Sequence, residues 1–183
     1  VYIAVATDIL HSGHINIIEQ GAKLGDVIIG MLTDEVIATY KRLPILDYET
    51  REKIFSNIKQ VSKVVKQDTL SYAKNLRTLK PDYVLHGDDW KTGIQSNVRV
   101  EVLEVLNEYG GKLVEVPYTK GVSGTDIDEH MRPIFNTPDI RRAKLRKMLR
   151  FKPYIRVMEA SNGLSGLIVE KVKVEDTDKN IAK

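Results

Sequence analysis

Short, β-rich apolar runs recur along this chain and are separated by longer stretches of helical period, and that alternation constrains the fold more than any other feature. The runs lie at 1–6, 27–32, 61–65, 83–86 and 112–116. Between them the spacing predicts helices over 13–24, 48–59, 69–79 and 95–109, stopping near Gly25, before Val61, before Pro81 and at Gly110-Gly111. Such a rhythm argues for βαβ units and a parallel sheet. The expected fold class is therefore α/β, a doubly wound parallel five-stranded sheet.

In sheets of this kind ligands sit outside the carboxyl ends of the strands, where the strand order reverses. Polar motifs should then follow strands directly, and three do. Asp8-Ile9-Leu10-His11-Ser12-Gly13-His14 follows the first run, Gly87-Asp88-Asp89-Trp90 the fourth, and Lys120-Gly121-Val122-Ser123-Gly124-Thr125 the fifth. His11 and His14 flank Ser12-Gly13 where a strand passes into a helix, so both imidazoles can address one phosphate at a helix N-terminus. Gly13 admits close approach of that phosphate to the backbone. Two other readings of the pair stay open: unrelated capping or surface histidines, and a metal site, for which no third ligand stands nearby.

Composition excludes several classes. The 183 residues suffice for one core of ordinary size and an appendage, and 42% hydrophobic with 29% charged residues is a globular balance. With 28 basic against 25 acidic residues, charge alone does not predict nucleic-acid binding. The absence of cysteine removes disulfides, thiolate metal sites and Cys nucleophiles. No apolar run approaches the roughly 18 residues of a membrane span, so a cytoplasmic protein without membrane or nucleic-acid partners is expected. The start at Val1 suggests that a few leading residues are missing. After Pro133, residues 139–150 read as a basic amphipathic helix, whose simplest account is a solvated charged face with an apolar stripe packed on the sheet or a partner.

The segment Asp8 to His14 resembles the HxGH signature of the cytidylyltransferases within the nucleotidylyltransferase superfamily. Leu24-Gly25-Asp26, Thr33-Asp34-Glu35 and Tyr48-Glu49-Thr50-Arg51 are similar to that group's next segments. Gly87-Asp88-Asp89-Trp90 has the form seen in glycerol-3-phosphate cytidylyltransferases, and residues 119–125 resemble the RTEGIS-type motif. The likeness runs over about residues 1–131 and implies a Rossmann-like nucleotidylyltransferase sheet with a C-terminal helical extension. It implies His11, His14 and Lys41 as catalytic residues on the phosphates. Around the nucleotide it places Ala6, Thr7, Asp8, Gly13, Asp88, Trp90, Thr119, Val122, Ser123 and Thr125, and around the acceptor Asp34, Arg51, Asp89, Tyr118 and Lys120. Mg²⁺ or another divalent cation would be carried by the phosphates rather than by side chains. The pattern departs from the family at Val5-Ala6-Thr7 and at Tyr118, which stands where the motif has an arginine; Lys120 or a residue of the basic helix could compensate.

Residues 155–170 are similar to the opening of phosphoenolpyruvate mutases, a family fused to cytidylyltransferases in phosphonate biosynthesis. The expected organisation is a cytidylyltransferase domain over 1–133, then the basic helix and a truncated mutase-like segment over 134–183. The resemblance implies transfer of CMP from CTP to a small phosphonate such as 2-hydroxyethylphosphonate, by a homodimer. The alternatives are a glycerol-3-phosphate or other phosphoalcohol acceptor, an adenylyltransferase, and a non-catalytic nucleotide-binding regulator.

Overall fold

A computed structural model describes residues 1–7, 9–40, 43–91, 96–117, 138–151, 155 and 157–171. Strands β1 (Tyr2–Val5), β2 (Val27–Leu32), β3 (Val61–Gln67), β4 (Tyr83–Gly87) and β5 (Lys112–Val116) form one sheet in the order β3-β2-β1-β4-β5, with every neighbouring pair parallel. The expected doubly wound architecture is therefore present. Register is fixed at the centre, where Ile3 pairs with Ile29 on one side and Leu85 on the other.

Helices α1 (Ser12–Ala22), α2 (Asp34–Tyr40), α3 (Tyr48–Ser56), α4 (Ala73–Leu79) and α5 (Ser96–Tyr109) connect the strands. The inner strands β1 and β2 are apolar throughout because both their faces are covered. Val1, Ile3 and Val5 meet Ile18 of α1 and Phe55 of α3, while Tyr2 and Val84 meet Leu76 of α4 and Val102, Val105 and Leu106 of α5. The edge strand β3 instead carries Ser62, Lys63 and Lys66 outward, as suits a strand with one open side.

One close approach explains a glycine. The Tyr2 side chain crosses β2 above Gly30 and hydrogen-bonds Gln67, and Asn75 donates to the same phenol oxygen at 3.0 Å. A Cβ at position 30 would collide with the phenol ring.

Several boundaries differ from expectation. α2 was not anticipated as a helix: seven residues are too few to display a helical period, and it forms because the Thr33 hydroxyl accepts from the Val36 N–H at 3.3 Å while Val36 and Ile37 bury against Leu32. α4 begins at Ala73 rather than near 69, since Thr69 donates to the Ser71 carbonyl at 2.8 Å and holds a turn there. Beyond the sheet lie the basic helix Pro138–Phe151, close to its expected span, and a further helix Gly163–Lys171. No described helix is long and apolar enough to cross a membrane.

Candidate functional site

The strand order places β1 beside β4 at the centre, with their chains departing into α1 and toward α5, so a crevice forms beyond their carboxyl ends. Two of the three motifs converge there. From Val5 the chain passes through the half-buried Ala6 and Thr7, whose hydroxyl donates to the Ile9 carbonyl at 3.1 Å, and enters α1 at His11.

The two histidines build the helix start themselves. His11 is the N-cap, extended at φ −140° and ψ 171°, and its Nδ1 accepts the Gly13 N–H at 3.2 Å. His14 reaches back, its Nδ1 accepting the His11 N–H at 3.4 Å, a long contact. The arrangement is a capping box in which imidazoles replace the usual Ser and Glu. The rings lie 3.8 Å apart between centroids and are tilted by 42°. As acceptors in the neutral form, both Nδ1 atoms lack hydrogen, so the ring protons sit on Nε2. Burial pushes the His11 pKa down, which favours that neutral form. Capping and phosphate contact are thus compatible uses of the same two residues, because one ring nitrogen serves each.

Across the switch point, β4 ends at Gly87 and Asp88–Lys91 form a 3-10 turn. Asp88 is exposed beside the crevice. Trp90 is 0% exposed: its ring sits in the core among Tyr72, Val98 and Val102, stacked on His86 at 3.8 Å and 5°, and its indole N–H donates to Glu115 Oε1 at 3.0 Å. Trp90 therefore supports the turn from beneath.

Asp34 and Arg51, both expected near the acceptor, are brought together at the carboxyl end of β2. Arg51 is 0% exposed, and its Nη2 donates to Asp34 Oδ1 at 2.7 Å and to the Leu32 carbonyl at 2.9 Å. Its Nη1 faces Met31 Sδ at 3.3 Å, while the buried Nε has no hydrogen-bond partner. The pair ties α3 to the start of α2. Beside it opens a cleft of about 360 Å³ lined by Thr33, Asp34, Asp47, Tyr48, Lys66, Arg146 and Arg150, among others, so the basic helix forms one wall.

Asp8, Lys41, Tyr118, Thr119, Lys120, Val122, Ser123 and Thr125 lie outside the described residues, as does the side chain of Asp89. Among the described residues no group of three His, Asp or Glu side chains could hold a metal ion. Sequence reasoning missed His86 and Glu115. Glu115 had a signal, since a carboxylate inside the apolar run Leu113-Val114-Glu115-Val116 needs a partner.

Residues 7–148 match the cytidylyltransferase-like family. The chain belongs to that family. By family it is a nucleotidyltransferase domain. Among relatives of the cytidylyltransferase-like chain, the bifunctional protein HldE of Desulfatibacillum aliphaticivorans is 34% identical over 128 residues, covering 68% of this chain and 25% of that protein. The ethanolamine-phosphate cytidylyltransferase of Mus musculus is 34% identical over 124 residues, covering 66% of this chain and 29% of the enzyme. The chain thus spans between a quarter and a third of the length of these curated relatives. A solved structure, the lipopolysaccharide core biosynthesis protein from Thermoplasma volcanium GSS1, superposes with a TM-score of 0.54 at 24% identity, covering 66% of this chain and 96% of that one. It shows the same fold.

Proposed function

We propose that this domain transfers CMP from CTP to a small acceptor bearing a phosphonate or phosphate group, with release of pyrophosphate. The observation that carries the reading is the histidine capping box at the sheet's switch point. There two Nε2–H donors stand beside the helix N-terminus where a phosphate is favoured electrostatically. In the reaction an acceptor oxygen attacks the α-phosphorus in line, a new P–O bond forms, and the bond to the β-phosphate breaks with its electron pair leaving on pyrophosphate. The histidines donate to the oxygens on which charge accumulates, and no covalent enzyme intermediate is required. Lys41 and the 119–125 motif complete the phosphate site in this proposal. We assign any Mg²⁺ to the triphosphate oxygens.

For the acceptor we favour a phosphonate such as 2-hydroxyethylphosphonate, supported by the likeness of residues 155–170 to the opening of phosphoenolpyruvate mutases. This reading divides the chain at 133 and 134 and places it in a cytoplasmic homodimer fused to a mutase. A phosphoalcohol acceptor is the second reading, favoured by the similarity to ethanolamine-phosphate cytidylyltransferase.

The test is pyrophosphate release from CTP or ATP in the presence of 2-hydroxyethylphosphonate, ethanolamine phosphate or glycerol 3-phosphate, each added separately. Turnover with CTP and the phosphonate is expected. Turnover only with a phosphate ester moves the assignment to phosphoalcohols, turnover only with ATP makes the domain an adenylyltransferase, and tight CTP binding with no turnover makes it a regulator.

A further inference from the structure

The Gly87-Asp88-Asp89-Trp90 turn is held by a chain of side chains that joins it to the neighbouring edge strand, where Glu115 of β5 pairs in register with His86 of β4. Trp90 donates its indole N–H to Glu115 Oε1 of β5 at 3.0 Å. Arg99 of α5 grips the same carboxylate, Nε to Oε1 at 2.9 Å and Nη2 to Oε2 at 3.4 Å. On its other side the indole lies flat on His86, the last residue of β4 before the motif, at 3.8 Å and 5°. The His86 Nδ1 is 2.9 Å from the Gly87 carbonyl, the correct distance for an N–H donated to it. Three secondary elements thus fix one four-residue turn through its single buried indole.

A brace of this construction exceeds what burying a tryptophan requires. An apolar neighbour in place of Glu115 would bury the ring at least as well and would spare the half-buried ion pair its desolvation cost. What the carboxylate adds is direction: a hydrogen bond to the indole fixes ring rotation, and with it the height of the backbone from Gly87 to Lys91 at the crevice mouth. From this geometry we infer that Glu115, oriented by Arg99, is a positioning residue for nucleotide binding: it acts through Trp90 to hold the turn after β4 in the shape that receives CTP. The inference rests on the cytidylyl-transfer reading and adds to it residues that touch no substrate.

Trp90 is the sole tryptophan of the sequence, so its fluorescence reports the brace directly. Glu115→Ala removes both partners' acceptor, Glu115→Gln keeps an oxygen for the indole while losing the ion pair, and Arg99→Gln leaves the carboxylate but frees its orientation. Each purified full-length variant is examined by thermal unfolding, tryptophan emission, CTP titration calorimetry and steady-state kinetics. Glu115→Ala is expected to red-shift the emission and to raise Kd and KM for CTP about tenfold, the worth of one hydrogen bond to a charged group, with kcat changed less than about twofold. Glu115→Gln and Arg99→Gln should fall between Glu115→Ala and the parent. A purely structural ion pair would instead lower the unfolding temperature and leave the KM of the folded protein unmoved, and that result overturns the inference. Should Glu115→Ala fail to fold, the same comparison on Glu115→Gln and Arg99→Gln decides. If the parent protein itself binds no CTP, the cytidylyl-transfer reading fails and takes this inference with it; if the parent binds CTP and all three variants bind equally well, the brace alone is wrong.

Discussion

In the proposed reaction His11 has two tasks for its two ring nitrogens, capping α1 and donating to phosphate, and a substitution can separate them. Asparagine is among the best N-cap residues, so His11→Asn restores an acceptor for the Gly13 N–H while removing the Nε2–H donor. Stability should stay within about 1 kcal/mol of the parent. Turnover should fall roughly 10²- to 10³-fold, the usual loss of one transition-state donor. Urea unfolding and pyrophosphate release measure the two effects; a variant that keeps most of its turnover would remove His11 from the chemistry. The same residue predicts a pH effect with a definite sign. Burial holds the folded His11 pKa below its ordinary value of 6.5, so as pH falls the unfolded chain takes up the proton first. The His11 contribution is therefore a loss of stability that begins below about pH 6.5 and levels off once the folded protein protonates as well. The drop in urea midpoint between about pH 7.5 and 5.5 should be smaller in His11→Asn than in the parent. Equal drops would mean that His11 titrates alike in the folded and unfolded states.

At the scale of elements, Arg51 and Asp34 show what sequence can and cannot yield. The family resemblance implied both as acceptor residues, but their mutual 2.7 Å pairing follows from α3 crossing the end of β2, which no local pattern encodes. Arg51→Met leaves Asp34 buried without its partner and should cost about 3–5 kcal/mol. Unfolding by urea checks this, and a loss below about 1 kcal/mol would mean that the carboxylate finds water instead. The strands were legible because short β-rich runs bounded by turn or helix-stop residues stand out: the buried β2 and the half-buried edge strand β5, which follows Gly110-Gly111, fall on their expected spans. α2 was illegible because its Thr33 cap and four buried residues act over only seven residues, about two helical turns. Trp90 carried a recognisable motif, yet its burial was hidden, since the sequence does not say that β5 pairs with β4 in the register that brings Glu115 to its N–H. The register of β1 on β2 likewise explains Gly30 only after the fact. Gly30→Ala should cost about 1–3 kcal/mol through the forced displacement of Tyr2, and a neutral thermal shift would contradict that crossing.

Across the whole molecule, charge is distributed unevenly around the carboxyl edge of the sheet. The cleft beyond β2 and β3 is lined by Lys66, Arg146, Lys147 and Arg150 and by Asp34, Glu35, Asp47 and Glu49. Of those carboxylates Asp34 is neutralised by Arg51, whereas Asp47 accepts the Thr50 N–H at 2.9 Å, a bond that holds its carboxyl below the ordinary range and keeps it charged. Lys147 reaches the Ile45 carbonyl at 3.3 Å and so ties the basic helix to the loop before α3. With Asp34 neutralised by Arg51, the four cations face Glu35, Asp47 and Glu49, an excess of one positive charge that favours an anion, and the basic helix supplies three of the four cations. On the proposed reaction, the acceptor's phosphonate or phosphate would be drawn to this side while the triphosphate lies over α1. The double substitution Arg146→Glu with Arg150→Glu should then raise the acceptor KM about tenfold or more, as expected for reversing two charges near an anion, and leave the KM for CTP near its parent value. Raising the salt concentration should shrink the difference, because both side chains are exposed to solvent. An unchanged acceptor KM would exclude the cleft as the acceptor's place, whereas a parallel rise in both constants would mean that the helix steers anions to the crevice without distinguishing them.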